Sequence, residues 1–147
     1  MYIDASISST ITVYCFYKKS QGLFVMDKKD EEKIQQIIKE RKQAHHTFVS
    51  KDSPVYKAFL EMEGATYRER ALSRRTKELI AVGISVVLNC ESCMEWHIRE
   101  ALKDGASEDQ VLEAVEVGIE MGGGPATVSS RFALKVLKYY KEHESER

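Results

Sequence analysis

Proline is scarce in this chain, 2 of 147 residues, against a usual share of ~5%. That scarcity fits long helices joined by short turns and disfavours an all-β fold. Charge of one sign is also lacking. The 22 Lys and Arg nearly balance the 23 Asp and Glu, so no field gathers nucleic acid or anionic lipid, and neither partner is expected. No apolar run approaches the ~20 residues that a membrane-spanning helix needs. A basic segment ahead of an apolar stretch, as an export signal requires, is missing as well: Asp4 comes first and Lys18-Lys19 follow the ITVYCFY run, so a cytoplasmic protein is expected. The 3 cysteines are an odd number, and two of them stand three residues apart; a secreted disulfide framework explains them poorly, redox or metal chemistry better.

What is present is an ordinary globular composition, 43% hydrophobic and 31% charged, in a chain of one-domain size. Residues 1–25 stand apart. They carry three charges and alternate Ile11, Val13 and Cys15, which reads as a strand-like N-terminal arm appended to a helical domain over 26–147. From there the periodicity predicts about six helices. The first runs from Asp27 to His45 on a stripe of Ile34, Ile37 and Ile38. Asp52-Ser53-Pro54 opens a second, to about Tyr67, with Val55, Phe59, Leu60 and Met62 as its buried face. Ser73 caps a third, apolar on nearly every side from Leu79 to Leu88 and therefore central, which Asn89 closes. A fourth spans Cys90 to Lys103 and stops at Gly105. Ser107 and Gln110 form a capping box for a fifth, and Gly122 to Pro125 break the chain before a sixth whose core face includes Val128, Phe132, Leu134, Val136 and Leu137.

The informative stretch is Cys90-Glu-Ser-Cys93-Met-Glu-Trp-His97, where one helix has ended and the next begins. The first turn of a helix presents unpaired backbone N–H groups and the positive end of the macrodipole, both of which favour a thiolate. Three-residue spacing sets Cys90 and Cys93 on one face, within reach of a disulfide. His97 lies four residues beyond Cys93, where an imidazole can accept or return its proton. Together they supply a nucleophile, a resolving partner and a base.

Two plainer readings stand beside this one. A structural zinc site would need further ligands from His45, His46, His143, Cys15 or a carboxylate, since no second Cys-x-x-Cys exists; an inert packed pair would need a less polar neighbourhood than Glu91, Ser92 and Glu95 provide. Glu78, in the first turn of the third helix, either offsets the macrodipole or joins the site. Laid along antiparallel helix axes it falls ~7 Å short of His97, a gap for a water or a bend to fill. His45 and His46 read as solvated, Trp96 as packing, and the glycine run as a close helix contact rather than a phosphate loop.

LSRRTKELIAVGISVVLNCESCMEWHIREALKDGASEDQVLEAV followed by MGGGPA resembles the carboxymuconolactone decarboxylase family, and within it the alkylhydroperoxidase-D-like branch, over residues 55–137. The resemblance implies an all-helical fold that assembles as a homo-oligomer, trimer or hexamer, with the site near subunit contacts. It implies that Cys93 attacks a hydroperoxide, that Cys90 resolves the sulfenic acid as a disulfide, and that His97 with Glu78 relays protons. A thiol or lipoyl-type reductant, or a redox partner protein, would restore the pair; neither cofactor nor metal is called for. The paired cysteines argue for the redox branch over a decarboxylase acting on a small acidic substrate. Ser92 departs from the branch's peroxidases, which carry a histidine just before the second cysteine.

Overall fold

Each helix starts where a short polar side chain can take an unpaired N–H. A computed structural model describes residues 26–146. Asp27 accepts from the Asp30 N–H and Asp30 answers in a reciprocal capping box, opening α1 (Lys28–Ser50). Ser53 caps α2 (Pro54–Thr66), with proline in the first turn, where its missing N–H costs nothing. Ser73 caps α3 (Arg74–Val87), Cys90 caps α4 (Glu91–Lys103), and the Ser107–Gln110 box opens α5 (Glu108–Glu142). A single 3₁₀ turn, Glu144–Glu146, follows. Between helices the chain reverses through left-handed backbone at Asp52 (φ 49°), Asn89 (φ 51°) and Gly105 (φ 84°), conformations that Asn, Asp and Gly tolerate best.

The fold is all-α, with no strand among the described residues. The strand-like arm, the appended extension and Cys15 all fall in residues 1–25 and lie outside the described residues. The last of these five runs is two helices joined across a kink, so the break expected at the glycine run is present: Gly123 leaves helical geometry there, at φ 61° and ψ −148°. Pro125 then falls in the first turn of the second half, where no N–H is required. The buried stripe of that half runs Ala126, Ser129, Ser130, Ala133, Val136, Leu137, Tyr140, a helical period that passes Val128 by. Val128 is exposed rather than core.

The core sits among α3, α4 and α5, with Val82, Val86, Met94, Ile98, Val111 and Val136 fully buried and Ile34 of α1 closing one side. α3 and α5 touch backbone to backbone. A Cβ added at Gly118 would lie 2.7 Å from the Gly83 carbonyl oxygen and 3.0 Å from Val86 Cβ, so glycine is the residue that permits the crossing.

Two expectations about apolar faces are corrected. α3 packs by one face, and Ile80, Ile84 and Leu88 on the other stay exposed, where they join Val117 and Met121 of α5 in an open groove of about 680 Å³. α2 buries no residue at all: Val55, Phe59 and Met62 face outward and Leu60 is half-buried. Its apolar periodicity is real, but within one chain only α1 stands beside it, meeting it through Phe48 stacked on Tyr56 with ring centres 4.8 Å apart, and the rest of the stripe stays uncovered.

Candidate functional site

Cys90 is the N-cap of α4. Its Sγ accepts from the Cys93 N–H at 3.3 Å, and the two sulfurs are joined as a disulfide, with Cα atoms 5.2 Å apart. The pair therefore rests on the positive end of a 13-residue helix, as the spacing anticipates, and both cysteines are half-buried.

One helical turn beyond Cys93, His97 Nδ1 donates to Glu78 Oε2 at 2.8 Å. That bond fixes the proton on Nδ1 and leaves Nε2 as the nitrogen available to a reacting group. Glu78 is almost wholly buried, and its second oxygen stands 3.7 Å from Arg74 Nε. Arg74 in turn reaches Glu100 at 2.6 Å and Asp104 at 2.9 Å. The expected axial gap of ~7 Å closes because α3 ends at Val87 and Leu88-Asn89-Cys90 turn the chain without adding helical rise. Measured from the helix ends, Glu78 lies ~13.5 Å back and His97 ~9 Å forward, a difference that two long side chains span without a water.

Cys93 and His97 line one cavity of about 440 Å³. α4 contributes Ser92 and Trp96 as well, α2 contributes Tyr56, Phe59, Leu60 and Glu63, and α1 contributes Arg41, Lys42, His45 and His46. A second cavity of about 330 Å³ shares Leu60, Glu63 and Trp96 with the first and is lined further by Tyr67, Arg74 and Glu78. His45 and His46 are exposed, as expected, but they face the disulfide cavity, and His45 Nδ1 lies 2.9 Å from the Tyr56 hydroxyl. Among the described residues no group of three or more His, Cys, Asp and Glu is placed to hold a metal ion.

Three features escape the sequence. Tyr67, the residue that ends α2, stacks on the His97 ring with centroids 5.6 Å apart. Burial, aided by the charge of Glu78, pushes its phenol up to about 12, so at neutral pH it is an uncharged lid on the imidazole. Glu95, whose charge suggests a polar surface, is fully buried instead; it accepts from Arg41 and from the Tyr140 hydroxyl. Burial, then the bond to Glu95, pushes the Tyr140 phenol above its ordinary range. Trp96 is more than packing, since the guanidinium groups of Arg41 and Arg99 lie 4.8 and 4.3 Å from its ring centre. Arg41 is 54 positions from Glu95, and no local pattern links the two.

A family model of the carboxymuconolactone decarboxylase family matches residues 53–136, more than half of the chain, and the chain belongs to that family. A protein of Paracoccus denitrificans known as uncharacterized protein 4 in the cox locus is 40% identical over 80 residues, covering 54% of this chain and 72% of its own. Alkyl hydroperoxide reductase AhpD of Anaeromyxobacter sp. (strain K) is 37% identical over 76 residues, 43% of this chain and 41% of that protein. Among solved structures, a carboxymuconolactone decarboxylase family protein of Legionella pneumophila superposes with a TM-score of 0.67 at 27% identity, covering 76% of this chain and 96% of its own. A Thermotoga maritima protein gives 0.70 at 26% identity, covering 77% and 99%.

Proposed function

We propose that the protein is a thiol-dependent hydroperoxide reductase that cycles through the Cys90–Cys93 disulfide. The observation that carries this reading is the bonded sulfur pair at the start of α4, with Cys93 on a cavity that also holds His97, itself held by the buried Glu78. The similarity to an alkyl hydroperoxide reductase supports the same chemistry.

In the reduced protein His97 Nε2 takes the Cys93 proton, and the helix N-terminus stabilises the thiolate. The sulfur attacks one peroxide oxygen, the O–O bond breaks, and the departing alkoxide leaves as an alcohol with the proton that His97 returns. Cys93 is then a sulfenic acid. Cys90 attacks that sulfur, water leaves, and the disulfide forms. A dithiol of lipoyl type, free or carried by a partner protein, reduces it by exchange and becomes a disulfide itself. Glu78 steadies the imidazolium that forms midway.

The protein acts as a homo-oligomer in the cytoplasm on this reading. The exposed apolar faces of α2 and of the α3–α5 groove are the surfaces that a trimer or hexamer would cover. Light scattering after gel filtration tests that assembly. Mass analysis before and after one equivalent of hydroperoxide tests the chemistry: the reduced chain should lose two hydrogens, mapped to a Cys90–Cys93 peptide. Cys90→Ser should stop at a sulfenic acid after one event, and Cys93→Ser should show no turnover. Retention of multiple turnover by Cys93→Ser would end the scheme.

A further inference from the structure

We propose that Tyr67 is a positioning residue for His97: its ring, clamped from α3, sets the plane of the imidazole so that Nδ1 stays on Glu78 and Nε2 is left to the cavity that Cys93 lines. The inference rests on the peroxidase reading above and adds to it a residue that stands outside the cavity where the peroxide reacts.

His97 needs such a part. It cannot be buried as Glu78 is, because Nε2 must meet a reacting group in the cavity it shares with Cys93. Its bond to Glu78, at 2.8 Å, fixes one ring atom, and rotation about the bond from Cβ to an aromatic ring is a broad torsion with weak preferences of its own. A flat neighbour narrows it. The Tyr67 ring lies against the imidazole with 28° between the planes and centroids 5.6 Å apart, the offset stacking that aromatic pairs favour. An imidazole turned about that bond loses the stack and the Glu78 bond together.

Tyr67 is itself held. Lys77 Nζ donates to the carbonyls of Thr66 and Arg68, both at 2.7 Å, and so grips the chain on either side of Tyr67 at the end of α2, where backbone carbonyls lack helical partners. Lys77 precedes Glu78 on α3, and adjacent residues of one helix therefore anchor the phenol ring and the imidazole. Tyr67 lines the second cavity with Arg74 and Glu78, and not the one that Cys93 lines. It governs how His97 is presented without shaping the space a peroxide enters. Burial, then the charge of Glu78, keeps the phenol neutral, so it does not compete with that carboxylate for the Nδ1 proton.

The test compares Tyr67→Leu, Tyr67→Phe and Lys77→Met in the full chain, with cumene hydroperoxide and a dithiol reductant. Leucine fills space without a flat ring, so kcat should fall about tenfold or more while KM stays within about twofold. Tyr67→Phe keeps the ring and should hold kcat within about twofold of the parent. Lys77→Met releases the clamp and should lower kcat about threefold; it keeps the role testable if Tyr67→Leu does not fold. Nitrogen-15 spectra of the disulfide form at mildly alkaline pH read the imidazole without catalysis. His97, identified by the signal lost in His97→Gln, should carry its proton on Nδ1 in the parent and in Tyr67→Phe, and on a mixture of Nδ1 and Nε2 in Tyr67→Leu. Parent-like kcat and an unchanged His97 spectrum in Tyr67→Leu would overturn the positioning role and leave the peroxidase reading intact. A rise in KM at constant kcat, or a loss that Tyr67→Phe shares in full, would overturn it too, by making Tyr67 a substrate wall or a hydroxyl donor. A parent protein that turns over no peroxide, with Tyr67→Leu still mixing the His97 tautomers, would overturn the peroxidase reading and uphold the positioning role.

Discussion

The two walls of the disulfide cavity are built in opposite ways. The wall that carries Cys93 and His97 belongs to α4, whose Met94, Ile98 and Ala101 are fully buried against α3 and α5. The facing wall belongs to α1 and α2, and α2 contributes no buried residue. Groups that must meet within hydrogen-bond distance are thus mounted on packed helices, where a rotamer change disturbs a close-packed core. Groups that only shape a cavity stand on a helix whose apolar side is left for another surface. On the proposed reading, the reacting groups stand on the packed wall and the open wall only shapes the cavity, and the contrast can be broken or sharpened by substitution.

The largest effect is expected on the packed wall. Glu78→Gln keeps the size of the side chain but removes the charge that orients His97, so kcat should fall by about a hundredfold or more while circular dichroism and the unfolding midpoint change little. Activity within a factor of a few of the parent protein would demote Glu78 to a structural role beside Arg74. Next in size is Gly118→Ala. Its Cβ would meet the Gly83 carbonyl at 2.7 Å and Val86 at 3.0 Å, so α3 and α5 must separate, at a cost of about 2 kcal/mol. Urea unfolding would read that loss as a lower midpoint with an unchanged slope.

The same contrast explains what was legible in the sequence. Cys90, Cys93 and His97 share one helix, and their spacing alone places them on one face. Glu78 was legible as a candidate but not as a contact, because the length of the Leu88–Cys90 turn, and not the helical rise, decides whether it meets His97. Arg41 and Tyr67 come from other elements. Arg41 reaches Glu95 across 54 positions, and Tyr67 meets His97 by stacking; neither contact has a periodicity to betray it. The apolar stripe of α2 is a true stripe but not core, since periodicity shows which side of a helix wants burial and not what covers it. The Gly122–Pro125 run is legible as a break, because one glycine at positive φ suffices to end one helix and start the next.

A smaller effect joins the two walls through the buried Glu95, which α1 and α5 both contact. Burial and the bond to Glu95 hold the Tyr140 phenol above its ordinary range. A raised proton affinity in the folded state contributes stability that is complete below the unfolded value, about 10, and fades as pH rises toward the folded one. The parent protein should therefore lose stability progressively above about pH 10, and Tyr67, at about 12, adds to the same slope. Tyr140→Phe should cost about 1 to 2 kcal/mol at neutral pH by removing one partner of Glu95, yet decline less steeply in alkali. Urea titrations at several alkaline pH values check both, and parallel pH curves for the two proteins would exclude Tyr140 as the source.

The smallest effect is the sharpest comparison, because it repeats one substitution on the other wall. Gly64 lies within α2, and a Cβ added there would meet nothing within 4 Å. Alanine at that position removes backbone freedom from the unfolded chain and improves helix propensity, so Gly64→Ala should stabilise by about 0.5 to 1 kcal/mol. Gly118→Ala should shift the midpoint in the opposite direction and by more. Stiffening α2 also bears on function: if that wall must move to admit substrate, the more stable variant will show a lower kcat/KM, and if the wall is already fixed by another subunit, activity will be unchanged. Destabilisation by Gly64→Ala would mean that a surface absent from the single chain presses on α2 at that residue, and that the outer wall is as closely packed in the assembly as the inner one is in the monomer.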